Sequence, residues 1–200
     1  MNKLKVICAA ILILTVASSV LLTSCGKDES FVPVTVITTQ PQTTEPETFV
    51  YSEFEMFGTK MGMSIEEAQK ALDIPIEVYT SDKGLLYFIV QKKDLLFVNK
   101  DIDTTVFFIF NEKGRLCEIQ YASTKENGFV LKDAIANYDS QYGKHIEDNS
   151  DETKKNYVWY KDGVYIVITT VIDGQNAMSF FDKEYFEKNY PEDAQAYNAR

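Results

Sequence analysis

Apolar and polar positions between residues 51 and 200 recur at two periods, and the changeover between them predicts the elements. Ser64-Ile65-Glu66-Glu67 forms a capping box, with serine oxygen and glutamate carboxylate each placed to satisfy a free amide at a helix start. Ile65, Ala68, Ala71 and Leu72 then give one apolar face, and Pro75 stops its continuation, so the spacing predicts a helix from Ser64 to about Asp73. Period-two patterns follow at Leu85 to Gln91 and Leu95 to Val98, then at Thr105 to Phe110 and Arg115 to Tyr121 around the turn Asn111-Glu112-Lys113-Gly114. Cys117, Ile119 and Tyr121 alternate with Glu118 and Gln120, which predicts a sheet with one buried and one wet face.

A second helical spacing runs through Leu131, Ala134, Ile135, Tyr138 and Tyr142, with Gly143 where a left-handed cap belongs. After a polar loop, Tyr157 to Tyr160 and Val164 to Ile172 flank Lys161-Asp162-Gly163, a second hairpin, and a short strand is expected around Ala177 to Phe180. From Asp182 aromatics alternate with charges, a pattern that predicts helix broken at Pro191. The order is helix, strands, helix, strands, helix. Runs of strands separated by lone helices imply an α+β fold, an antiparallel sheet with helices packed on one face. Each half reads as a helix followed by a meander, although no residue-level repeat accompanies that order.

The first 24 residues follow a different logic. Lys3 and Lys5 precede an apolar run from Val6 to Leu22, the layout of a secretory signal. Its end, Leu22-Thr23-Ser24-Cys25-Gly26, resembles the lipobox of bacterial lipoproteins. That resemblance implies cleavage before Cys25, acylation of Cys25 with fatty chains such as palmitate, and residence on the extracytoplasmic side of a cell membrane. Two acyl chains are what stable anchoring requires, since each buried methylene contributes about 0.8 kcal/mol. An uncleaved membrane helix or an ordinary secretory signal would leave the position of the cysteine as coincidence.

Between Gly26 and Thr48, six threonines interspersed with Pro33, Pro41, Pro46, Glu45 and Glu47 mark a tether with little to bury. Residues 25–50 as a random coil span about 25–30 Å. The expected division is thus a signal peptide at 1–24, a tether at 25–50 and one α+β domain at 51–200.

Charge and cysteine usage narrow the function classes. The chain carries 30 acidic and 20 basic residues, a formal charge of −10, and losing Lys3 and Lys5 takes this to about −12. Such a surface repels nucleic acid and anionic headgroups, so lipid on Cys25 has to hold the protein to its membrane. Of three cysteines, Cys8 leaves with the signal and Cys25 is acylated, so the remaining Cys117 has no intrachain partner.

The folded part also resembles a known group. Phe57-Gly58-Thr59-Lys60-Met61-Gly62-Met63-Ser64, running into Ile65-Glu66-Glu67-Ala68, is similar to the helix entry of small secreted lipoproteins. These share the fold of beta-lactamase inhibitor proteins and of the small lipoprotein in the outer-membrane barrel-assembly machine. Tyr142-Gly143-Lys144 followed by Trp159 is similar to a second run of that group. The resemblance implies a sheet that presents a surface to a protein partner, and no catalytic residues. The inhibitor proteins' disulfides are missing here, so inhibition is not implied.

Catalytic patterns are scarce. His145 is the only histidine, so a two-histidine metal motif is excluded and any Ser-His-Asp triad would have to be built on it. No nucleophile elbow, phosphate loop or paired-cysteine metal site occurs, and no cofactor is implied. The acidic run Glu147-Asp148-Asn149-Ser150-Asp151-Glu152 offers oxygens to a hard cation but lacks the central glycine of a calcium loop, so a solvated loop is the simpler reading. The 13 Phe, 12 Tyr and one Trp leave one concentration of candidates, Tyr157, Trp159, Tyr160 and Tyr165 around one hairpin. Exposed, they would bind a protein or stack on sugar rings; buried, they would pair across strands. The expected function is a membrane-anchored, non-enzymatic protein-interaction domain, with a cell-wall or polysaccharide-binding module as the alternative.

Overall fold

The structure is a computed structural model that describes residues 53–73, 77–93, 95–124, 128–151, 153–171 and 175–198, with the side chains of 149–151 outside the description. The leader, the tether, Cys25 and Pro75 lie outside the described residues. A two-stranded ribbon, β1 (Glu55–Met56) and β2 (Thr59–Lys60), precedes helix α1 (Ile65–Leu72). Strands β3 (Val78–Thr80), β4 (Leu86–Lys92), β5 (Thr104–Phe110) and β6 (Leu116–Thr124) follow, then helix α2 (Leu131–Tyr142). A second set, β7 (Ile146–Asp151), β8 (Lys154–Lys161), β9 (Val164–Val171) and β10 (Gln175–Asp182), leads into α3 (Lys183–Asn189) and α4 (Pro191–Asn198).

The fold is α+β. Eight strands form one antiparallel sheet in the order β3-β4-β5-β6-β10-β9-β8-β7, so two four-stranded meanders meet along their last strands. The elements start where the local chemistry says they should. Ser64 Oγ accepts from the Glu67 amide and Glu67 Oε2 from the Ser64 amide at 2.7 Å, completing the capping box. Asn111 Oδ1 accepts from the amides of Lys113 and Arg115, closing the first hairpin. Asp162 and Gly163 both take positive φ, 53° and 79°, as the two-residue turn between β8 and β9 demands. Pro191 opens α4, where its missing N–H has no helical partner to lose.

Several expectations need correction. Helices cover both faces of the sheet, not one. Residues of α1 and α2 (Ala68, Leu72, Ala134, Tyr138) close the larger core over Phe88, Phe108, Ile119, Ile166, Met178 and Phe180. On the opposite face α3 and α4 seal a second cluster, Val158, Tyr165, Val167 and Phe181 under Phe186, Ala194 and Tyr197. The element order differs as well, because the β1–β2 ribbon comes before the first helix and the last helix is two. Leu95–Val98 is a turn rather than a strand; buried Leu95 and Val98 merely mimic alternation. The acidic run 147–152, read as a solvated loop, lies up to Asp151 in the edge strand β7, whose acidic residues and register shift discourage further pairing; Glu152 lies outside the described residues. Gly143 has positive φ, but its ψ of 179° is extended rather than left-handed helical.

The wet face expected on β6 is also absent, since Glu118 and Gln120 are both buried. A register shift leaves Cys117 as an extra residue between the pairs Ile109↔Glu118 and Phe110↔Leu116. Cys117 therefore drops out of the alternation with Ile119 and Tyr121.

Candidate functional site

The aromatic hairpin that offered candidate binding residues is split by its own alternation. Tyr157 and Trp159 turn toward α2, while Tyr160 and Tyr165 turn toward α3. Trp159 is only 2% exposed, its ring 5.2 Å from Tyr138 and 5.7 Å from His145. Tyr165 is buried and stacks on Phe186 at 4.5 Å. Tyr160 alone is well exposed, at 45%, with Lys183 Nζ 5.6 Å from its ring centre. Tyr157 is half-buried on the other face, edge-on to His145. These four residues are not one exposed strip.

His145 is held by its neighbours. Asp139 accepts from the His145 amide at 2.9 Å, lies 3.0 Å from Nδ1, and accepts from Trp159 Nε1 at 3.0 Å. Burial pulls the Asp139 pKa upward, but the hydrogen bonds from His145 and Trp159 outweigh it and hold the carboxyl below its ordinary range. The cluster locks the end of α2 onto β8. Among the described residues no group of three His, Cys, Asp or Glu could hold a metal ion. Cys117 is a free, buried thiol, pushed well up by desolvation and by neighbouring Glu118 and Asp182.

Sequence reasoning missed a different surface, on the side of the first meander that faces away from α1 and α2. Register places Tyr79 opposite Tyr87, Tyr87 opposite Ile109, and Ile89 opposite Phe107, so all five side chains share one face. Ring centres step across it from Tyr79 to Tyr87 at 5.6 Å and from Tyr87 to Phe107 at 6.3 Å. Tyr79, Tyr87 and Ile89 are half-buried, whereas Phe107 and Ile109 are buried yet belong to neither core cluster. A signal was present, because Val106 to Phe110 is apolar at every position and a continuous run means that both faces of the strand meet apolar surroundings.

The same face continues onto β6. Phe107 pairs with Gln120 and Ile109 with Glu118. Glu118 is 4% exposed and its Oε1 has no hydrogen-bond partner; Gln120 is fully buried and its Oε1 has none either. Gln120 Nε2 donates to Ser179 Oγ at 3.1 Å on β10. Desolvation raises the Glu118 pKa to about 8, against a smaller opposing pull from the charge of Lys83. Beside this pair, Tyr185 of α3 and Tyr190, the residue that caps it, have raised pKa values, chiefly from burial and secondarily from Glu118 and Cys117.

No protein family, curated protein or solved structure matches the chain in the comparisons made. None of the described helices is long and apolar enough to cross a membrane.

Proposed function

We propose that the chain is a bacterial lipoprotein, tethered through lipid on Cys25 to the extracytoplasmic side of a membrane, whose folded part is a non-enzymatic protein-interaction domain. The observation that carries the interaction reading is the row Tyr79, Tyr87, Ile89, Phe107 and Ile109. It lies outside both cores, on the face of the first meander that turns away from α1 and α2. Tyr79, Tyr87 and Ile89 are its half-exposed members, backed by buried Phe107 and Ile109, and an apolar strip that reaches the surface in this way supports a protein-contact reading. The anchor reading rests on Leu22-Thr23-Ser24-Cys25, and the fold resemblance supports a sheet that meets a partner.

Photo-crosslinking tests it on intact cells. A benzophenone side chain at position 87 should give adducts with a discrete protein, and the same group at position 192, exposed on α4, should give none. Equal yields at both positions, or none at position 87, would overturn the reading.

A polysaccharide-binding module is the second reading, favoured by the exposure of Tyr160 beside Lys183. It requires glycan-array binding that disappears in Tyr160→Ala.

A further inference from the structure

The first meander ends in an open strand edge. β3 is the outermost strand on that side of the sheet, and no described residue hydrogen-bonds the edge it turns away from β4. The pairing fixes which backbone groups point outward. The Ser81 amide donates to the Leu85 carbonyl oxygen at 2.9 Å, which makes these two a hydrogen-bonded pair, and such pairs recur at every second residue. In the same register Tyr79 and Tyr87 are the next such pair. Val78 and Thr80 stand opposite Phe88 and Leu86 in the positions between, so their N–H and C=O groups face away from β4. Acidic residues and a register shift guard the far edge at β7, whereas Val78–Thr80 carries no charge, proline or bulge.

We infer that β3 pairs with β3 of a second copy of the chain, antiparallel about a two-fold axis at Tyr79, joining two sheets edge to edge. The inference rests on the interaction reading above and names its partner. A two-fold contact needs a surface that matches itself, and this edge does. An axis at Tyr79 sets Val78 against the partner's Thr80, and Thr80 against the partner's Val78. All of these are outward-facing positions, so the contact gains about four backbone hydrogen bonds. Tyr79 then stands opposite the partner's Tyr79 in the non-bonded position, where side chains approach most closely. The aromatic row that runs from Phe107 through Tyr87 to Tyr79 continues on the same face into the partner's row. Local charge permits this register, because Glu77 meets the partner's Ser81 rather than a second acid. A net charge of −10 opposes association in bulk solution, but anchoring copies to one membrane raises their effective concentration. A strand from an unrelated protein could bond the same edge, yet it would not require the edge to be complementary to itself.

Disulfide trapping of the full-length chain on intact cells tests the pairing. Opposite non-bonded residues lie about 4.5 Å apart at Cα, within the reach of a disulfide. Under mild oxidation Tyr79→Cys should therefore give a covalent dimer. Glu77→Cys should give none, because position 77 would lie about 13 Å from its counterpart across the axis. Adding Thr80→Pro to Tyr79→Cys removes an N–H that faces outward and leaves the β3–β4 ladder intact. It should lower the dimer yield about tenfold, as loss of one hydrogen bond on each side of the axis implies. Cys117 is buried, so its failure to react with a thiol reagent confirms that each variant is folded. No dimer from Tyr79→Cys, equal yields at positions 77 and 79, or a yield unchanged by Thr80→Pro would overturn the inference. Absence of that dimer together with position-87 adducts to a different protein would overturn the second copy and leave the interaction face standing. Position-87 crosslinks to residues 25–50 of the same chain, with no dimer, would overturn it in favour of the chain's own tether.

Discussion

The indole N–H of Trp159 donates to Asp139 Oδ1 at 3.0 Å, joining β8 to the last turn of α2 across 20 residues of sequence. The same carboxylate holds the His145 amide and lies against its Nδ1, so one side chain fixes a helix end, a loop and a buried indole. Asp139→Asn should destabilise the protein by about 2 kcal/mol, in the range for hydrogen bonds to a charged group. The folded pKa of Asp139 is depressed, so its contribution is present above the unfolded value of 3.8 and is lost as pH falls through the folded value. Urea denaturation of both proteins at neutral pH and at pH 3 checks this: the gap between them should narrow in acid.

Glu118 predicts the opposite slope. Its folded pKa of about 8 exceeds the ordinary 4.5, so the folded state holds a proton that the unfolded chain has released across that window. Stability from this group is complete below pH 4.5, falls as pH rises, and levels off above about 8, a loss on the order of a few kcal/mol. Glu118→Gln should flatten the curve between pH 5 and pH 9 and be the more stable protein at the alkaline end. An unchanged slope would mean that Glu118 is hydrated in solution.

Thiol reactivity reports on fold and anchor together. Cys117 is buried with its Sγ 3.3 Å from the Ile109 carbonyl oxygen, and burial suppresses its thiolate. A cleaved, acylated chain should show no reactive thiol when native and one when denatured. A second thiol on denaturation would point to a retained leader with Cys8 or to an unmodified Cys25.

Phe186 should be the most sensitive position of the second cluster. Its ring stacks on Tyr165 at 4.5 Å and lies 5.2 Å from Phe181 and 5.1 Å from Tyr190. Phe186→Ala should cost about 3–5 kcal/mol, as in other buried aromatic truncations. Tyr160→Ala, at the exposed edge of the same face, should stay within about 1 kcal/mol. Thermal denaturation of the two variants distinguishes them.

What could be read from the sequence followed the range of the interactions involved. The capping box at Ser64 and Glu67 and the turns at Asn111–Gly114 and Asp162–Gly163 are local, so the residue pattern carries them. The helical spacing from Leu131 to Tyr142 and the break at Pro191 were equally legible. The cover on the second face was not, because α3 and α4 come from the chain's end and bury Tyr165 and Val167 only through tertiary contact. Glu118 and Gln120 look like solvent-facing residues to any alternation rule, and the shift that displaces Cys117 depends on the pairing of β5 with β6. The candidate hairpin failed as a strip for a simple reason. Trp159 and Tyr160 are adjacent on a strand and must point to opposite faces.

The position of β10 between β6 and β9 bears on when this sheet can form at all. A chain that leaves a ribosome or a membrane pore with its N-terminus leading can assemble each meander early. The two stay separate until Gln175–Asp182 arrives to bridge them, pairing Phe180 with Ile119 on one side and Ile166 on the other. Completion of the sheet thus waits for β10, and a copy cut short before Gln175 would carry two raw strand edges for quality-control proteases to find.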